Sequence, residues 1–187
     1  MGAQQMKRAR CEQGRGFTLL ELMVSIAMVA ILVTVALPSY NSLRQEQLVK
    51  AATQAIYTDM MLLKSESIKR NQGLSLIIFN SGQSNWCYRI AIDGTATCTS
   101  CNTTCSTLEG RKGGDATEFP GIALTASYSE SASKVRPVAF SPRRGSLPAG
   151  NIQLTANAYS MQVVTNNLGR VRSCAPTGSK VGGAPTC

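Results

Sequence analysis

The sequence predicts an α+β protein in which one long N-terminal helix packs on an antiparallel β-sheet head. Three observations support this fold class. An apolar run fills residues 17–37, apolar residues at helical spacing follow it, and short β-rich runs separated by turn signals occupy most of the chain after residue 73. The 187 residues leave room for one ordinary domain and some additional segments.

The apolar run is long enough to cross a membrane. Glu21 is the only charged residue between positions 17 and 37. At a rise of about 1.5 Å per residue, a helix of this length spans about 30 Å, which is the thickness of the hydrocarbon core of a bilayer. A cleaved secretory signal fits less well, because its apolar core is about 7 to 15 residues long and ends at a small-x-small site. We therefore predict a transmembrane helix over residues 17–37.

A basic segment precedes this run and predicts its orientation. Residues 1–16 contain one acid, Glu12, and four basic residues, which are Lys7, Arg8, Arg10 and Arg15. Positive charge next to a membrane helix is retained on the cytoplasmic side. We expect a single-pass protein with a cytoplasmic N-terminus and an exported head.

Helical spacing continues beyond the membrane segment. Apolar residues recur three or four positions apart, at Val49, Ala52, Ile56, Met60 and Leu63. The sequence Asn71-Gln72-Gly73 then supplies a stop signal. These features predict an amphipathic continuation of the helix over residues 38–72, with the head packed on its apolar stripe.

The rest of the chain, residues 73–187, is predicted to form the β-rich head. Strands are predicted at 74–79, 86–92, 122–128, 138–141, 152–155, 160–165 and 168–173. Turns are predicted at Asp93-Gly94, at residues 141–145 and at Asn166-Asn167. Residues 98–119 are rich in Ser, Thr, Gly and Cys, and we expect them to form an irregular, cysteine-rich loop.

The N-terminal residues carry a specific resemblance. A short basic leader that ends in Gly16, followed by Phe17-Thr18-Leu19-Leu20-Glu21 and an apolar helix, resembles the class III signal of type IV pilins and type II secretion pseudopilins. The resemblance implies that a prepilin peptidase of the inner membrane removes the leader, residues 1–16, between Gly16 and Phe17. It also implies methylation of the new Phe17 amine and assembly into a filament through the helix.

This resemblance offers an interpretation of the charge on Glu21. An ionisable group in a membrane segment costs a few kcal/mol or more, so such residues usually have a partner. Cleavage would create a cationic amine on Phe17, in the same chain or in a neighbouring subunit, and the family resemblance implies the neighbouring one. The alternative is a simple acid at a helix N-terminus, which the helix dipole favours.

The C-terminal half resembles one subgroup of this family. The segments FSPRRGSLPAGNIQL and YSMQVVTNNLGRVRSC resemble the end of GspH/FimT proteins, which are minor pilins and H-type pseudopilins. The resemblance extends over essentially the whole chain and is tightest over residues 14–40 and 138–174. It implies the pilin fold, a periplasmic head, and assembly with other major and minor pilins or pseudopilins. The cysteine-rich loop is less typical of the family.

Cysteine counting agrees with export. Cys11 lies in the leader, so the mature chain holds six cysteines, which are Cys87, Cys98, Cys101, Cys105, Cys174 and Cys187. An even number outside the cytoplasm predicts three disulfides, with fifteen possible pairings, and the favoured pair is Cys174 with Cys187. The spacing of Cys98, Cys101 and Cys105 also admits a zinc or iron–sulfur site, but the compartment argues against it, and we expect no metal.

Positive charge is concentrated near the C-terminus. Removing the leader lowers the formal net charge from +9 to +6, and residues 131–187 contain no acid. The seven basic residues of this region are Lys134, Arg136, Arg143, Arg144, Arg170, Arg172 and Lys180. Clustering of one sign is the electrostatic signature of a protein that binds the phosphate backbone of nucleic acids.

A DNA-binding site is predicted within this region. On a strand over 168–173, Arg170 and Arg172 would project from one face about 7 Å apart and bridge neighbouring phosphates, and Gly169 would let a backbone approach. Arg143 and Arg144 would extend the site if their turn lies nearby. Gly169-Arg170-Val171-Arg172 matches the G-R-x-R strand of FimT-like proteins, which implies double-stranded DNA binding for natural transformation. Alternatively, these arginines discourage sheet aggregation or pair with acids on neighbouring pilins.

Catalysis is not expected. The chain has no histidine, and its ten acids form no evident catalytic pair. No phosphate-binding or dinucleotide fingerprint is present, so we expect neither an enzyme nor a cofactor. Two function classes remain, a filament subunit that also binds DNA and a purely structural subunit of a pilus or of a type II secretion pseudopilus.

Overall fold

The computed structural model of the protein describes residues 17–92, 98–102, 113–130 and 135–187. The predicted turn at Asp93-Gly94 and residues 103–112 of the predicted loop 98–119 lie outside these residues. Contacts divide the chain into two units with a boundary between Asn41 and Ser42.

Helix α1 (Leu19–Arg70) contains 52 residues. Thr18 caps its N-terminus, since the Thr18 hydroxyl oxygen accepts a hydrogen bond from the Glu21 N–H at 3.2 Å. It ends at Asn71, which adopts a left-handed conformation with φ of 50°. The Gln72 N–H bonds to the Ser67 carbonyl at 3.1 Å, the pattern of a Schellman cap. The predicted stop at Asn71-Gln72-Gly73 is therefore confirmed.

The described part of the first unit, residues 17–41, is the apolar half of α1. The most apolar 18 residues have a mean hydropathy of 2.5, and all of them are exposed in the single chain. The hydroxyl groups in this half bond to the helix itself. Ser25 Oγ donates to the Glu21 carbonyl and Thr34 Oγ1 to the Ile31 carbonyl, each at 2.7 Å. A helix with its polar groups satisfied in this way is suited to a lipid environment.

The second unit, Ser42–Cys187, is the head, and it contains two antiparallel sheets of four strands. The first sheet has the order β3-β2-β1-β5, and its strands in chain order are β1 (Leu74–Phe79), β2 (Cys87–Ile92), β3 (Gly114–Asp115) and β5 (Arg136–Phe140). The second sheet has the order β4-β6-β7-β8, with β4 (Ala123–Ala126), β6 (Gly150–Ala156), β7 (Tyr159–Thr165) and β8 (Val171–Cys174).

Two features of these sheets differ from the sequence prediction. Strand β3 falls within the predicted irregular loop, and its two residues are too few to carry an alternating pattern. The last strand begins at Val171 and not at residue 168, because residues 166–170 form a tight turn. The other predicted strands correspond to β1, β2, β4, β5, β6 and β7 with small shifts of their ends.

The predicted apolar stripe of α1 lies at the centre of the head. Its five members, Val49, Ala52, Ile56, Met60 and Leu63, are at most 1% exposed. They belong to one core cluster that includes residues of both sheets, among them Leu76 and Ile90 from the first and Leu154 and Val163 from the second. The helix therefore packs on both sheets at once, in agreement with the predicted fold class.

The opposite face of the first sheet has a small core of its own. Ile77, Phe79 and Ala91 are buried there with Cys87 and Cys98. The disulfide between Cys87 and Cys101 lies on this face. This second apolar layer explains why every residue of β1 is buried and why its sequence, LSLIIF, does not alternate.

The C-terminal tail, residues 175–187, is tied to the second sheet and to α1. The predicted disulfide between Cys174 and Cys187 is present. The Ala175 N–H donates to the Pro185 carbonyl at 2.7 Å, and the Cys187 N–H donates to the Ala175 carbonyl at 3.0 Å. The Gly182 N–H donates to Glu46 Oε1 at 3.0 Å. Hydrogen bonds from Lys50 and Gly182 hold the pKa of the Glu46 carboxyl below its ordinary value.

We predict that the apolar stripe dominates the stability of the head. Replacing Ile56, which is 1% exposed, by alanine should lower the free energy of unfolding by about 2–5 kcal/mol, because it removes buried methyl groups and leaves a cavity. Ile68→Ala on the same helix is the matched control, since Ile68 is 61% exposed and its truncation should change stability by about 0.5 kcal/mol or less. Urea unfolding followed by circular dichroism measures both, and equal losses would contradict the assignment.

Candidate functional site

The turn between β7 and β8 is held in one conformation by its own hydrogen bonds. The side-chain oxygen of Asn166 accepts the N–H groups of Leu168 at 3.2 Å and of Arg170 at 3.0 Å. The main chain of Asn166 bonds to Arg170 at 3.2 Å and to Gly169 at 3.0 Å. Asn167 Oδ1 accepts the Ala149 N–H at 3.1 Å, which fixes the turn to the start of β6. The predicted turn at Asn166-Asn167 is therefore confirmed.

The turn between β5 and β6 carries the chain from the first sheet to the second. Ser141 and Ser146 form a bridge, with the Ser141 N–H donating to the Ser146 carbonyl at 3.0 Å. Gly145 has a positive φ of 64°, which favours glycine at this position. Arg143 and Arg144 lie between these serines and are exposed.

The two turns are in close contact through glycine. A Cβ atom on Gly169 would lie 2.0 Å from the carbonyl oxygen of Gly145, and Gly169 also has a positive φ of 71°. Any other residue would push the turns apart. Lys64 of α1 donates to the Gly169 carbonyl at 2.6 Å and lies 6.0 Å from the centre of the Phe140 ring. The helix thus fixes the position of the contact.

The contact brings the predicted arginines into one region, which we call the basic patch and define as Arg143, Arg144, Arg170 and Arg172. All four are exposed. Arg143 and Arg144 line a depression of about 630 Å³ together with Asn167. Arg170 and Arg172 line a smaller one of about 250 Å³ together with Asn166. Among the described residues, no acidic side chain forms an ion pair with the patch.

The geometry of Arg170 and Arg172 differs from the prediction. Only Arg172 lies in β8, opposite Val164, whereas Arg170 is the last residue of the turn. The cause is the Asn166 side chain, whose hydrogen bonds keep residues 166–170 out of the strand. Both arginines still line the same depression, and Val171 between them is buried as predicted.

The remaining basic residues of the C-terminal region do not join the patch. Arg136 is paired with Glu130 at 2.9 Å and donates to the Tyr128 carbonyl at 2.6 Å. Lys180 is exposed on the tail, and Lys134 lies outside the described residues. Arg172 has an internal contact of its own, a hydrogen bond of 3.4 Å to the main-chain oxygen of Cys187.

Sequence reasoning missed Lys64. Its position between Leu63 and Ser65 on an amphipathic helix carries no signal that distinguishes it from a solvated lysine. Its half-buried ammonium group nevertheless supports the Gly169 turn directly.

The second candidate site is the start of α1. Thr18 and Glu21 occupy the first and last positions of a T-x-x-E pattern, and the Thr18 hydroxyl accepts the Glu21 N–H. Glu21 therefore lies in the first helical turn, where the dipole favours an acid. Phe17 precedes the helix and is 76% exposed. Gly16 lies outside the described residues.

The described cysteines form disulfides rather than a cluster of thiols. Cys101 pairs with Cys87, and Cys98 is also disulfide-bonded. Cys105 lies outside the described residues. A metal site at Cys98, Cys101 and Cys105 would need a thiolate at each position, and the bond between Cys101 and Cys87 is incompatible with that arrangement.

Comparison with known proteins identifies the family. The sequence profile of the family described as type II transport protein GspH matches residues 52–169, and the profile of the prokaryotic N-terminal methylation motif matches residues 14–37. A search of curated proteins gave no match. Because the first profile covers more than half of the chain, the protein belongs to the GspH family, the class of type IV minor pilins and type II pseudopilins.

Three solved structures are similar to this chain. The minor pseudopilin EpsH from the type 2 secretion system of Vibrio cholerae is 14% identical, with a TM-score of 0.49 over 68% of this chain and 96% of its own. The type IV minor pilin FimU of Pseudomonas aeruginosa PAO1 is 12% identical, with a TM-score of 0.45 over 70% of this chain and 98% of its own. A second crystal form of FimU gives 15% identity and a TM-score of 0.44 over 73% and 93%.

We predict that Gly169 is required to hold the two turns together. Gly169→Ala should lower the free energy of unfolding by about 2 kcal/mol or more beyond its control, because the methyl group would overlap the Gly145 carbonyl. The control is Gly178→Ala, where φ is also positive at 89° but no atom lies within 4 Å of the added Cβ. That variant should lose about 1–2 kcal/mol from backbone strain alone. Equal losses in denaturant unfolding would show that the turn contact contributes nothing.

Proposed function

We propose that the protein is a membrane-anchored minor subunit of a type IV filament whose head also binds double-stranded DNA without sequence preference. The observation that carries the DNA-binding part is the basic patch. It places four exposed arginines on two packed turns and the start of β8, in a region of the sequence that contains no acid. DNA uptake is the process that such a subunit would serve.

The anchoring part of the proposal rests on the N-terminal residues. The methylation motif spans residues 14–37, and helix α1, which begins within it, is long and apolar enough to cross a membrane. We propose that a prepilin peptidase cuts between Gly16 and Phe17 and that the Phe17 amine is methylated. The four basic residues of the leader favour a cytoplasmic N-terminus and a periplasmic head.

The assembly part of the proposal assigns Glu21 to the recruitment of the next subunit. A carboxylate in the first turn of a membrane helix is costly to desolvate, and a cationic amine from a neighbouring Phe17 would offset this cost in a medium of low dielectric. Other pilins or pseudopilins are the partners. The proposed role is structural and involves no catalytic step.

The DNA-binding part follows from the chemistry of the patch. Guanidinium groups form paired hydrogen bonds with phosphate oxygens, and each neutralised phosphate releases counterions. Among the described residues, no acidic side chain pairs with the patch, and the nearest described acid in sequence, Glu130, is engaged by Arg136. Binding of this kind is nonspecific in sequence and weakens steeply with salt.

A second candidate function is a purely structural subunit, either an H-type pseudopilin of type II secretion or a pilus-priming minor pilin. The match to the GspH profile favours this alternative, and the arginines would then deter sheet association or pair with acids of neighbouring subunits. Deleting the gene and scoring transformation, pilus-dependent motility and protein secretion separately distinguishes the candidates. Loss of transformation supports DNA uptake, and loss of secretion alone supports the pseudopilin.

We expect Glu21 to act through its charge. Glu21→Ala should insert in the membrane normally but enter filaments roughly tenfold less often or worse, since the buried ion pair is lost. Glu21→Gln is the decisive control, because glutamine preserves the helix-capping pattern without the charge. Immunoblots of membrane and sheared-filament fractions measure both variants. Normal incorporation of the glutamine variant would reduce Glu21 to a helix cap.

We expect Arg170 and Arg172 to bind phosphate. The double variant Arg170→Gln/Arg172→Gln should bind duplex DNA about tenfold or more weakly, and the slope of log affinity against log salt should fall by about 1 to 2. The control is Lys69→Gln/Lys180→Gln, which removes the same charge outside the patch. Gel shifts with the full-length protein in nonionic detergent, over a range of salt concentrations, provide the measurement. Equal weakening by both double variants would show that only net charge matters.

A further inference from the structure

Leu168 stands at the apex of the turn between β7 and β8. Its side chain is 88% exposed, more than that of any other large apolar residue in the described ranges, including those of the membrane segment. Single exposed leucines are common on protein surfaces and need no special explanation. The surroundings of Leu168 are what set it apart.

The turn that carries Leu168 is unusually constrained for a surface loop. Four hydrogen bonds connect Asn166 to residues 168–170, one more joins Asn167 to Ala149, and Lys64 bonds to the Gly169 carbonyl. Gly169 also packs directly against the Gly145 carbonyl of the neighbouring turn. Because the backbone of the turn is already fixed, placing the Leu168 side chain in a binding site costs no further backbone entropy.

The two halves of the basic patch line separate depressions, and both depressions border this turn. Asn167 borders the depression that contains Arg143 and Arg144, while Asn166 borders the one that contains Arg170 and Arg172. Leu168 follows both asparagines and lines neither depression. The turn, which we call the ridge, therefore has an exposed apolar tip next to two depressions, each lined by a pair of arginines.

We propose that this ridge enters the minor groove of duplex DNA, with Leu168 as an apolar wedge against the base pairs. Arg143 and Arg144 would then contact the phosphates of one strand, and Arg170 and Arg172 those of the other. The inference rests on the proposed function and specifies its binding mode. The minor groove is about 6 Å wide, too narrow for a helix, so only the protruding leucine side chain at the tip of the ridge would enter it. Leucine is among the apolar side chains that unstack base steps from this groove.

The position of the ridge in the head favours DNA over a lipid surface. Lys64, which bonds to the ridge, lies 18 residues after Glu46, which bonds to the tail, so the two contacts are about 27 Å apart along α1. The ridge thus lies near the C-terminal end of the helix, at the far end of the head from Ser42, where the chain enters it. The two pairs of arginines also match two rows of phosphates better than they match an apolar protein surface.

This binding mode has a consequence for sequence preference. A leucine wedge makes no hydrogen bond to a base edge, so its binding depends on how easily the DNA deforms and not on the identity of the bases. Pyrimidine–purine steps are the most easily unstacked. We expect a mild preference for duplexes rich in TA and CA steps within otherwise nonspecific binding.

The test compares Leu168→Ser with the wild-type full-length protein in nonionic detergent. Serine should not disturb the turn, since the leucine side chain is almost wholly exposed. The variant should bind duplex DNA about tenfold more weakly with an unchanged salt slope, because no phosphate contact is lost. Wild-type protein should raise the fluorescence of 2-aminopurine placed in a TA-rich duplex, and the variant should not. Ile68→Ser is the control, as it removes another exposed apolar side chain of the head and should change neither signal.

Competing ligands identify the groove. Netropsin, which occupies the minor groove, should displace the wild-type protein, and methyl green, which occupies the major groove, should not. Displacement by methyl green alone would overturn the proposal. The proposal would also fail if Leu168→Ser kept wild-type affinity and fluorescence while Arg170→Gln/Arg172→Gln bound DNA more weakly. That result would leave the proposed function intact.

Two further outcomes would also overturn it. If Leu168→Ser binds DNA normally but fails to enter filaments, or no longer binds anionic vesicles that the wild type binds, the side chain contacts a neighbouring subunit or lipid. If the wild-type protein does not bind DNA at low salt, both this inference and the DNA-binding part of the proposed function fail.

Discussion

Burial of the apolar stripe on α1 between two β-sheets is the constraint on which the head depends. Each fully buried Val, Ile, Met or Leu side chain contributes about 1.5–3 kcal/mol, so the four of this kind in the stripe are comparable with the whole net stability of a typical domain, about 5–15 kcal/mol. The stripe joins sheets that are built from interleaved parts of the chain, with β4 in the second sheet and β5 in the first. The chain must therefore cross between sheets, and the turn at residues 141–146 is one of those crossings.

The basic patch follows from this crossing. The turn after β5 meets the turn after β7 because both lie where the sheets converge on Lys64 of α1, and the two glycines at the contact allow the main chains to touch. At least 26 positions of sequence separate Arg143 and Arg144 from Arg170 and Arg172, yet the fold places all four on one surface. Their juxtaposition is a property of the packed head and not of either segment alone.

Much of this arrangement could be predicted from the sequence, and the exceptions have physical causes. The stripe of α1 was predicted from its helical period, the stop from the signal Asn71-Gln72-Gly73, and the longer strands from β-rich runs between turn signals. The disulfide of Cys174 was predicted because a short Gly/Pro-rich tail needs a tether. The division into two sheets was not predicted, since pairing partners leave no local pattern. Nor was the role of Asn166, whose single side chain shortens β8, or of Lys64, whose contact depends on tertiary structure.

The tail fixed by Cys174 and Cys187 also limits how heads can meet one another. It adds a parallel bridge between Ala175 and Thr186 just beyond β8, so the last edge of the second sheet is partly occupied. The outer strand of the first sheet, β5, contains Pro137, which has no N–H to offer a further strand. The two remaining edges, β3 and β4, are only two and four residues long. In a filament, where heads are crowded at high local concentration, such edges prevent neighbouring sheets from fusing, so that contacts between heads remain reversible.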